Sequence, residues 1–493
     1  MPMHVESNRR PVRRLPAALC ALGMCGFAVP AQAAPAARDE CVVATIASGE
    51  EIAAGRLRAL PGADYWIEAD RDLLLCSRGG ALSATELGAA ALAAGALSVE
   101  NRSAVDPSQL AFLKVTPDLP AAELGRVLAR GGRWAVMELA TALPPALLGQ
   151  LRRTAGNGAG PGPDRIGPAL FPFAPNRVLA RRRSRPARGG SEALTDPQIS
   201  LLLDEIDRDR WAADVATLAA WNRWTRGAQV LTARDWLVAQ FSALPGLAVT
   251  TASFPVGANT GWNVIAKLTG SVRPDEWYVV GGHYDSTSGN PAVGAPGADD
   301  NASGCAGTLE LARLFAAHPP EATLAFVCFS GEEQGLYGSE DYVADLAAAG
   351  QLGNVQGAYV LDMIAFTAGA ALDCILESES FAQGWIDLLA DAAADFTSLG
   401  IVIEYGAWGS DHVPFLQLPV GQRRPAVLAI EADYPSNPNY HTTNDLPGYL
   451  NPLLAEQILR MGGGALLRLA GSSALFADGF ESADTLRWSA TAP

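Results

Sequence analysis

From residue 248 to residue 431 short apolar runs alternate with longer amphipathic stretches. Strand-like runs fall at Ala248–Phe254, Asn263–Leu268, Trp277–Gly281, Thr323–Phe329, Ala358–Asp362, Cys374–Glu377, Val402–Tyr405 and Val427–Glu431. Helical stretches are expected at Ile199–Gly227, Ala233–Leu244, Ala302–Ala317, Gly338–Ala349 and Leu453–Leu469. Several strands are continuous rather than alternating, as in YVVGG, LAFVCF, YVLDMI and AVLAI. A strand apolar at every position is buried on both faces. The pattern predicts an α/β fold: a three-layer α/β/α sandwich around a mixed, largely parallel sheet.

The chain ahead of this region reads differently. Residues 34–150 hold strand-like runs (Cys41–Ile46, Tyr65–Glu68, Leu73–Cys76) and helical stretches (Thr85–Ala94, Ala121–Ala129), expected as a small α+β unit. Residues 151–190 are rich in Gly, Pro and Arg (GNGAGPGP, ARRRSRPARGG), a composition that buries no core and reads as an exposed, protease-sensitive linker. Arg9, Arg10, Arg13 and Arg14, a short apolar stretch and Ala31-Gln32-Ala33 have the order of a signal peptide over 1–33. That stretch is shorter than the roughly 20 residues that span a bilayer, so no membrane span is expected. Pre-, pro- and catalytic segments are therefore expected in turn, with 34–190 a propeptide or a permanent accessory domain, 191–470 the catalytic domain and 471–493 a tail. The protein is expected to be secreted or periplasmic.

Charge sharpens this division. Of 493 residues, the first 190 hold 23 basic and 16 acidic side chains; the remainder hold 13 and 36. An acidic second half argues against a nucleic-acid partner, because phosphates call for a basic face. The opposite signs favour docking of the pro-region on the rest of its own chain. Cys41 and Cys76 fall in one unit and are the expected disulfide in an exported protein. Cys305, Cys328 and Cys374 read as small buried apolar residues.

Polar residues that suit no core follow the apolar runs. His283, Tyr284 and Asp285 follow YVVGG; Glu332 and Glu333 follow LAFVCFSG; Asp362 follows YVL; AVLAI ends at Glu431, with His441 in a later loop. The loop GAPGADDNASG carries Asp299 and Asp300 ahead of a helix. Singly these are caps or surface charges. Together they are the carboxylate and imidazole set of a zinc site.

In order, GGHYDS, APGADDNASG, SGEEQGLYGS, LDM, SDHVPF and YHTTNDL resemble the co-catalytic di-zinc exopeptidases typified by secreted bacterial leucyl aminopeptidases. The resemblance covers about residues 195–470. It implies two zinc ions per chain. His283 and Asp362 would bind one, Glu333 and His441 the other, and Asp299 would bridge them, with a cis Asp299–Asp300 peptide. It implies Glu332 as general base and Tyr440 as a hydrogen-bond donor to the tetrahedral intermediate. Asp285 is spaced to accept the other ring N–H of His283, while Asp300, Ser410 and Asp411 would support the ligands. His412 is equally an ordinary loop histidine, and His318 suits the C-terminal end of a helix.

The substrate implied is the free N-terminus of a peptide or protein. Met363, Ile364, Phe366, Tyr405, Trp408 and Phe415 are candidates to line a pocket for a large apolar side chain. A pocket for Lys or Arg would need an extra acidic residue, for which Glu404 and Glu431 are candidates. A carboxypeptidase or dipeptidase would need a cation for the substrate carboxylate, with Arg423 and Arg424 available. A glutaminyl cyclase uses one zinc on the same scaffold, and a catalytically dead binding module would have lost ligands, whereas every position here is filled.

Overall fold

The computed structural model describes residues 38–47, 50–117, 121–141, 170–183 and 197–472. The expected signal peptide, much of the expected linker and the tail beyond 472 lie outside the described residues. The strands are β1 (Glu40–Thr45), β2 (Tyr65–Ala69), β3 (Asp72–Ser77), β4 (Ser98–Asn101), β5 (Leu110–Lys114), β6 (Gly125–Gly131), β7 (Trp134–Leu139), β8 (Leu170–Pro172) and β9 (Arg177–Arg182). There follow β10 (Leu247–Val256), β11 (Asn259–Leu268), β12 (Arg273–His283), β13 (Ala322–Phe329), β14 (Val355–Leu361), β15 (Asp373–Ser378), β16 (Gly400–Tyr405) and β17 (Ala426–Glu431).

One long sheet runs β10-β11-β13-β12-β14-β17-β15-β16-β9-β2-β3-β1-β4. β12 pairs parallel with β13 and β14, and β14 parallel with β17. Successive residues feed opposite cores. Tyr278 and Val280 of β12 pack with Leu324, Phe326 and Cys328 of β13 under the helices Gly304–Ala317 and Pro452–Ala470. Trp277 and Val279 pack with Ala325, Val327 and Phe329 under the helix Tyr337–Ala348. Both faces are apolar because both are covered, which is the three-layer arrangement expected from the continuous runs.

Three expectations need correction. The stretch Ile199–Gly227 is not one helix: Pro197–Leu203 and Arg208–Ala219 are separate, and the Asp207 carboxylate caps the second by accepting from the N–H groups of Asp209 and Arg210. The stretch Ala121–Ala129 is helical only over Ala121–Leu124; Gly125, at φ +152°, starts β6, which pairs antiparallel with β7 through the Gly132–Arg133 turn. The third concerns the linker, where residues 170–172 and 177–182 are strands. β9 pairs antiparallel with β16 and parallel with β2, joining the N-terminal strands to the rest of the sheet.

The arginines that made β9 read as a linker are matched by carboxylates far away in sequence. Arg181 bonds Glu68 at 2.7 Å, Arg182 bonds Asp373 at 2.8 Å, and Arg183 reaches Asp387 and Asp391 at 2.8 Å each. A shared core adds to this seam: Phe112, Trp134 and Leu179 pack with Val360, Met363, Ile375, Val402 and Tyr434. The N-terminal residues thus fold onto the α/β region rather than apart from it. Cys41 and Cys76 face each other across β1 and β3 and form a disulfide. Cys305, Cys328 and Cys374 are free and buried. Among the described residues no helix is long and apolar enough to cross a membrane.

Candidate metal centre

The C-terminal ends of β12, β13, β14 and β17 converge, the usual position of sites in open α/β sheets. β12 ends at His283. β13 is followed by Gly331, whose φ of +71° turns the chain so that Glu332 and Glu333 face inward. Asp362 follows β14. The loop with Asp299 and Asp300 and the loop with Tyr440 and His441 close over them.

His283 Nε2 lies 3.3 Å from Asp300 Oδ1, 3.4 Å from Asp362 Oδ1 and 3.8 Å from Glu332 Oε2. His441 Nε2 lies 3.1 Å from Asp300 Oδ2 and 3.0 Å from Glu333 Oε2. Asp300 thus offers one oxygen to each histidine. Two groups, His283–Asp300–Glu333 and His283–Glu332–Asp362, each hold their ligand atoms close enough to share a metal ion. The donor set fits. His283 Nε2, Asp362 Oδ1 and Glu333 Oε1 are buried without a hydrogen-bond partner. Unpaired polar atoms at that depth are costly unless something polar meets them.

The bridging position therefore falls to Asp300, not Asp299. The Asp299 carboxylate turns the other way, accepting from Ala365 N and Asn437 Nδ2 at 3.1 Å each. The same Asn437 reaches Glu431 Oε1 at 3.2 Å, so Asp299 and Glu431 form a buried carboxyl pair behind the cluster. The cis peptide is Asp300–Asn301, one residue later than expected. Asp445 fixes this register by accepting from Asp299 N and Asp300 N at 2.9 Å each.

Electrostatics reflect the crowding. Burial pushes Glu333 and Asp411 up to about 7, and pushes Glu332 well above the carboxylate range, with Asp362 and Asp411 adding to the effect. Burial alone would raise Asp300, but the adjacent His283 and His441 imidazoles outweigh it and hold Asp300 low. Burial alone would lower both imidazoles. The carboxylates of Glu332 and Asp362 around His283, and of Glu333 and Asp300 around His441, outweigh it and raise both. Without a metal the site keeps protons where dications would go.

The supporting residues divide. Ser410 Oγ donates to Asp362 Oδ2 at 2.7 Å. Asp411 is fully buried nearby. Asp285 acts through its backbone: its carbonyl lies 3.1 Å from His283 Nδ1, its carboxylate 3.7 Å away. That carboxylate instead accepts from Thr225 Oγ1 at 2.8 Å and Glu332 N at 3.3 Å, tying the Glu332 backbone to the floor of the site. Tyr440 stacks on the His441 ring at 3.7 Å between centroids. His318 pairs with Glu205 at 2.8 Å at its helix end.

Of the expected pocket residues, Met363 lines the cleft, together with Gly409, Ile430, Tyr434 and Tyr440. Ile364 and Phe415 are fully buried in the two cores on opposite faces of the sheet, and Phe366 and Trp408 take part through backbone groups. Sequence reasoning gave no role to Asn437, Asp445 or Arg223. Asp445 lies inside the quoted YHTTNDL run. Arg223 is fully buried and donates to the carbonyls of Leu218, Tyr284, Pro296 and Gly297 at 2.6–2.7 Å, clamping the loop before Asp299. Also unforeseen is Arg133, from the N-terminal residues, which lines the same cleft.

Residues 263–461 match peptidase family M28. This stretch is the chain's M28-like domain. Among curated relatives, the chain is 38% identical over 173 residues to a probable zinc metalloprotease of Pyrenophora teres f. teres (strain 0-1), covering 30% of this chain and 37% of that one. It is 33% identical over 241 residues to a probable zinc metalloprotease of Pyrenophora tritici-repentis (strain Pt-1C-BFP), covering 42% and 48%. The chain thus spans less than half the length of these relatives. In fold, it is similar to LapB from Legionella pneumophila at a TM-score of 0.50 and 21% identity, covering 73% of this chain and 99% of that one. The M28 domain contains every strand end that supplies the cluster.

Proposed function

We propose that the protein is a zinc-dependent aminopeptidase that removes N-terminal residues from peptides. The observation that carries this reading is the Asp300 carboxylate, which offers one oxygen to His283 and the other to His441, with Asp362 and Glu333 at the flanks. His283 and Asp362 would hold one zinc and Glu333 and His441 the other, with Asp300 shared. Zinc there supplies Lewis acidity, lowering the pKa of a water and polarising a carbonyl oxygen. Glu332 would take the proton of the attacking water and return it to the leaving amine. Tyr440, which stacks on the His441 ring, would donate to the developing oxyanion.

The aminopeptidase direction is supported over the carboxypeptidase one by the cleft lining, whose carboxylates Asp300, Glu333 and Asp362 would be taken up by metal and Glu332 by proton transfer. Arg423 and Arg424, the cations a carboxypeptidase would need, are not among the lining residues. The preference for large apolar side chains loses its support, since only Met363 of its six candidate pocket residues lines the cleft.

The N-terminal residues read as a pro-region that closes the site. The cleft is narrow, with about 20 Å³ of water-sized room between its lining residues. Arg133 is one of its lining residues. Export rests on the sequence of residues 1–33 and on the Cys41–Cys76 disulfide, a bond of oxidising compartments. The test is hydrolysis of amino-acid p-nitroanilides by the zinc-loaded, processed chain. Cleavage of free-amine but not N-acetylated substrates is expected; equal cleavage of both would reject the aminopeptidase reading.

A further inference from the structure

Beside the metal cluster the M28 domain buries two carboxylates whose counter-charges come from outside it. Glu377 at the end of β15 and Glu404 on β16 are both 0% exposed. Arg133 Nη2 donates to Glu377 Oε2 at 2.6 Å, and Lys114 Nζ donates to Glu404 Oε2 at 2.8 Å while also pairing with Glu377. Both cations sit on the N-terminal residues, Lys114 at the end of β5 and Arg133 at the tip of the β6–β7 hairpin. The fit is close. Arg133 N donates to Glu404 Oε1 at 2.5 Å, and a Cβ on Gly132 would collide with that carboxylate.

The acidic pair lies next to the cleft. Arg133 lines it, and Arg133 Nη2 also donates to the Trp408 carbonyl at 3.0 Å. Trp408 N donates to Glu377 Oε1 at 2.9 Å, Gly409 lines the cleft, and Ser410 bonds the candidate ligand Asp362. Three consecutive residues thus connect the acidic pair to the metal cluster. Burying two carboxylates is costly unless cations meet them. Within the M28 domain, His412 Nε2 is 3.3 Å from Glu377 Oε1, but burial lowers the affinity of that imidazole for a proton. The cations that match the pair are those of the pro-region.

We infer that Glu377 and Glu404 form a specificity pocket for a cationic side chain, kept filled by Lys114 and Arg133 until the pro-region is removed, and that the enzyme prefers N-terminal Lys or Arg. This rests on the aminopeptidase reading above. The occupant is a guanidinium and an ammonium on flexible stems, the chemistry a basic substrate side chain would bring in their place. The hairpin thereby acts as an internal substrate mimic.

The test uses the full chain, zinc-loaded, cut with trypsin after Arg188 and assayed on Lys-, Arg- and Leu-p-nitroanilide. The expected result is that activity appears on cutting, with kcat/KM for Lys and Arg at least tenfold above Leu. Glu404→Gln is expected to lower the Lys-to-Leu ratio at least tenfold. The wild-type ratio stands as a separate test if that variant does not fold. Leu cleaved as well as Lys, or a ratio unmoved by Glu404→Gln, would overturn the pocket and leave the aminopeptidase reading standing. Hydrolysis of none of the three would overturn both.

Discussion

Asp300 Oδ2 lies 3.1 Å from His441 Nε2, while the carboxylate of its neighbour Asp299 faces Asn437 on the other side of the loop. Adjacent aspartates therefore have separable roles. Asp300→Asn is expected to lower bound zinc below two per chain and abolish turnover. Asp299→Asn is expected to keep both metals, since Asp299 meets Ala365, Asn437 and Glu431 rather than the histidines. Metal content of the two purified variants checks this; the reverse pattern would return the bridge to Asp299.

Glu332 shares a metal-binding group with His283 and Asp362, and its backbone is tied to Asp285. As the base it is the residue whose charge matters to proton transfer rather than to metal retention. Glu332→Gln should keep two zinc per chain and lose roughly 10²–10⁴-fold in kcat, the range for removing a general base. Full activity in that variant would remove Glu332 from the mechanism.

The chelated protein should be most stable on the acid side. Glu333 and Asp411, raised by burial to about 7, bind protons in the folded chain over the window from their unfolded values, about 4, to about 7. The unfolded chain does not. His283 and His441, raised by their carboxylate neighbours, stabilise below their unfolded value of about 6.5 and lose this as pH rises through their folded values. Both effects make stability fall with rising pH. Asp300 and Glu377 are depressed instead, so their contribution is lost only below the ordinary carboxylate range, outside this window. Melting of the EDTA-treated chain is expected to drop by at least about 3 °C from pH 5.5 to 8.5, and added zinc should flatten the slope. A rise with pH would contradict the charge assignment.

If residues 34–190 are a pro-region, the active secreted enzyme should begin near Ser191. N-terminal sequencing of the active species checks it. An active enzyme that begins at Ala34 would make these residues a permanent part of the protein.

What could be read in the chain followed from local rules. YVVGG and LAFVCF are apolar at each position because helices cover both faces, so β12 and β13 were visible without any neighbour. The candidate ligands His283, Glu333 and Asp362 were visible because a polar residue after such a run has no place in a core. The choice between Asp299 and Asp300 was not, because it depends on Asp445, 145 residues away. Nor was β9, whose arginines read as solvent-exposed until Glu68, Asp373 and Asp387 are brought beside them. Arg133 gave no signal, since its partner Glu377 is 244 residues distant.

The central claim is a pair of metals acting together at one shared carboxylate. The most direct measurement strips the processed enzyme with a chelator, confirms loss of activity, and titrates zinc back while following a free-amine p-nitroanilide. The rate is expected to rise to a plateau at two zinc per chain. A plateau at one zinc, or activity that survives complete removal of metal, would contradict it.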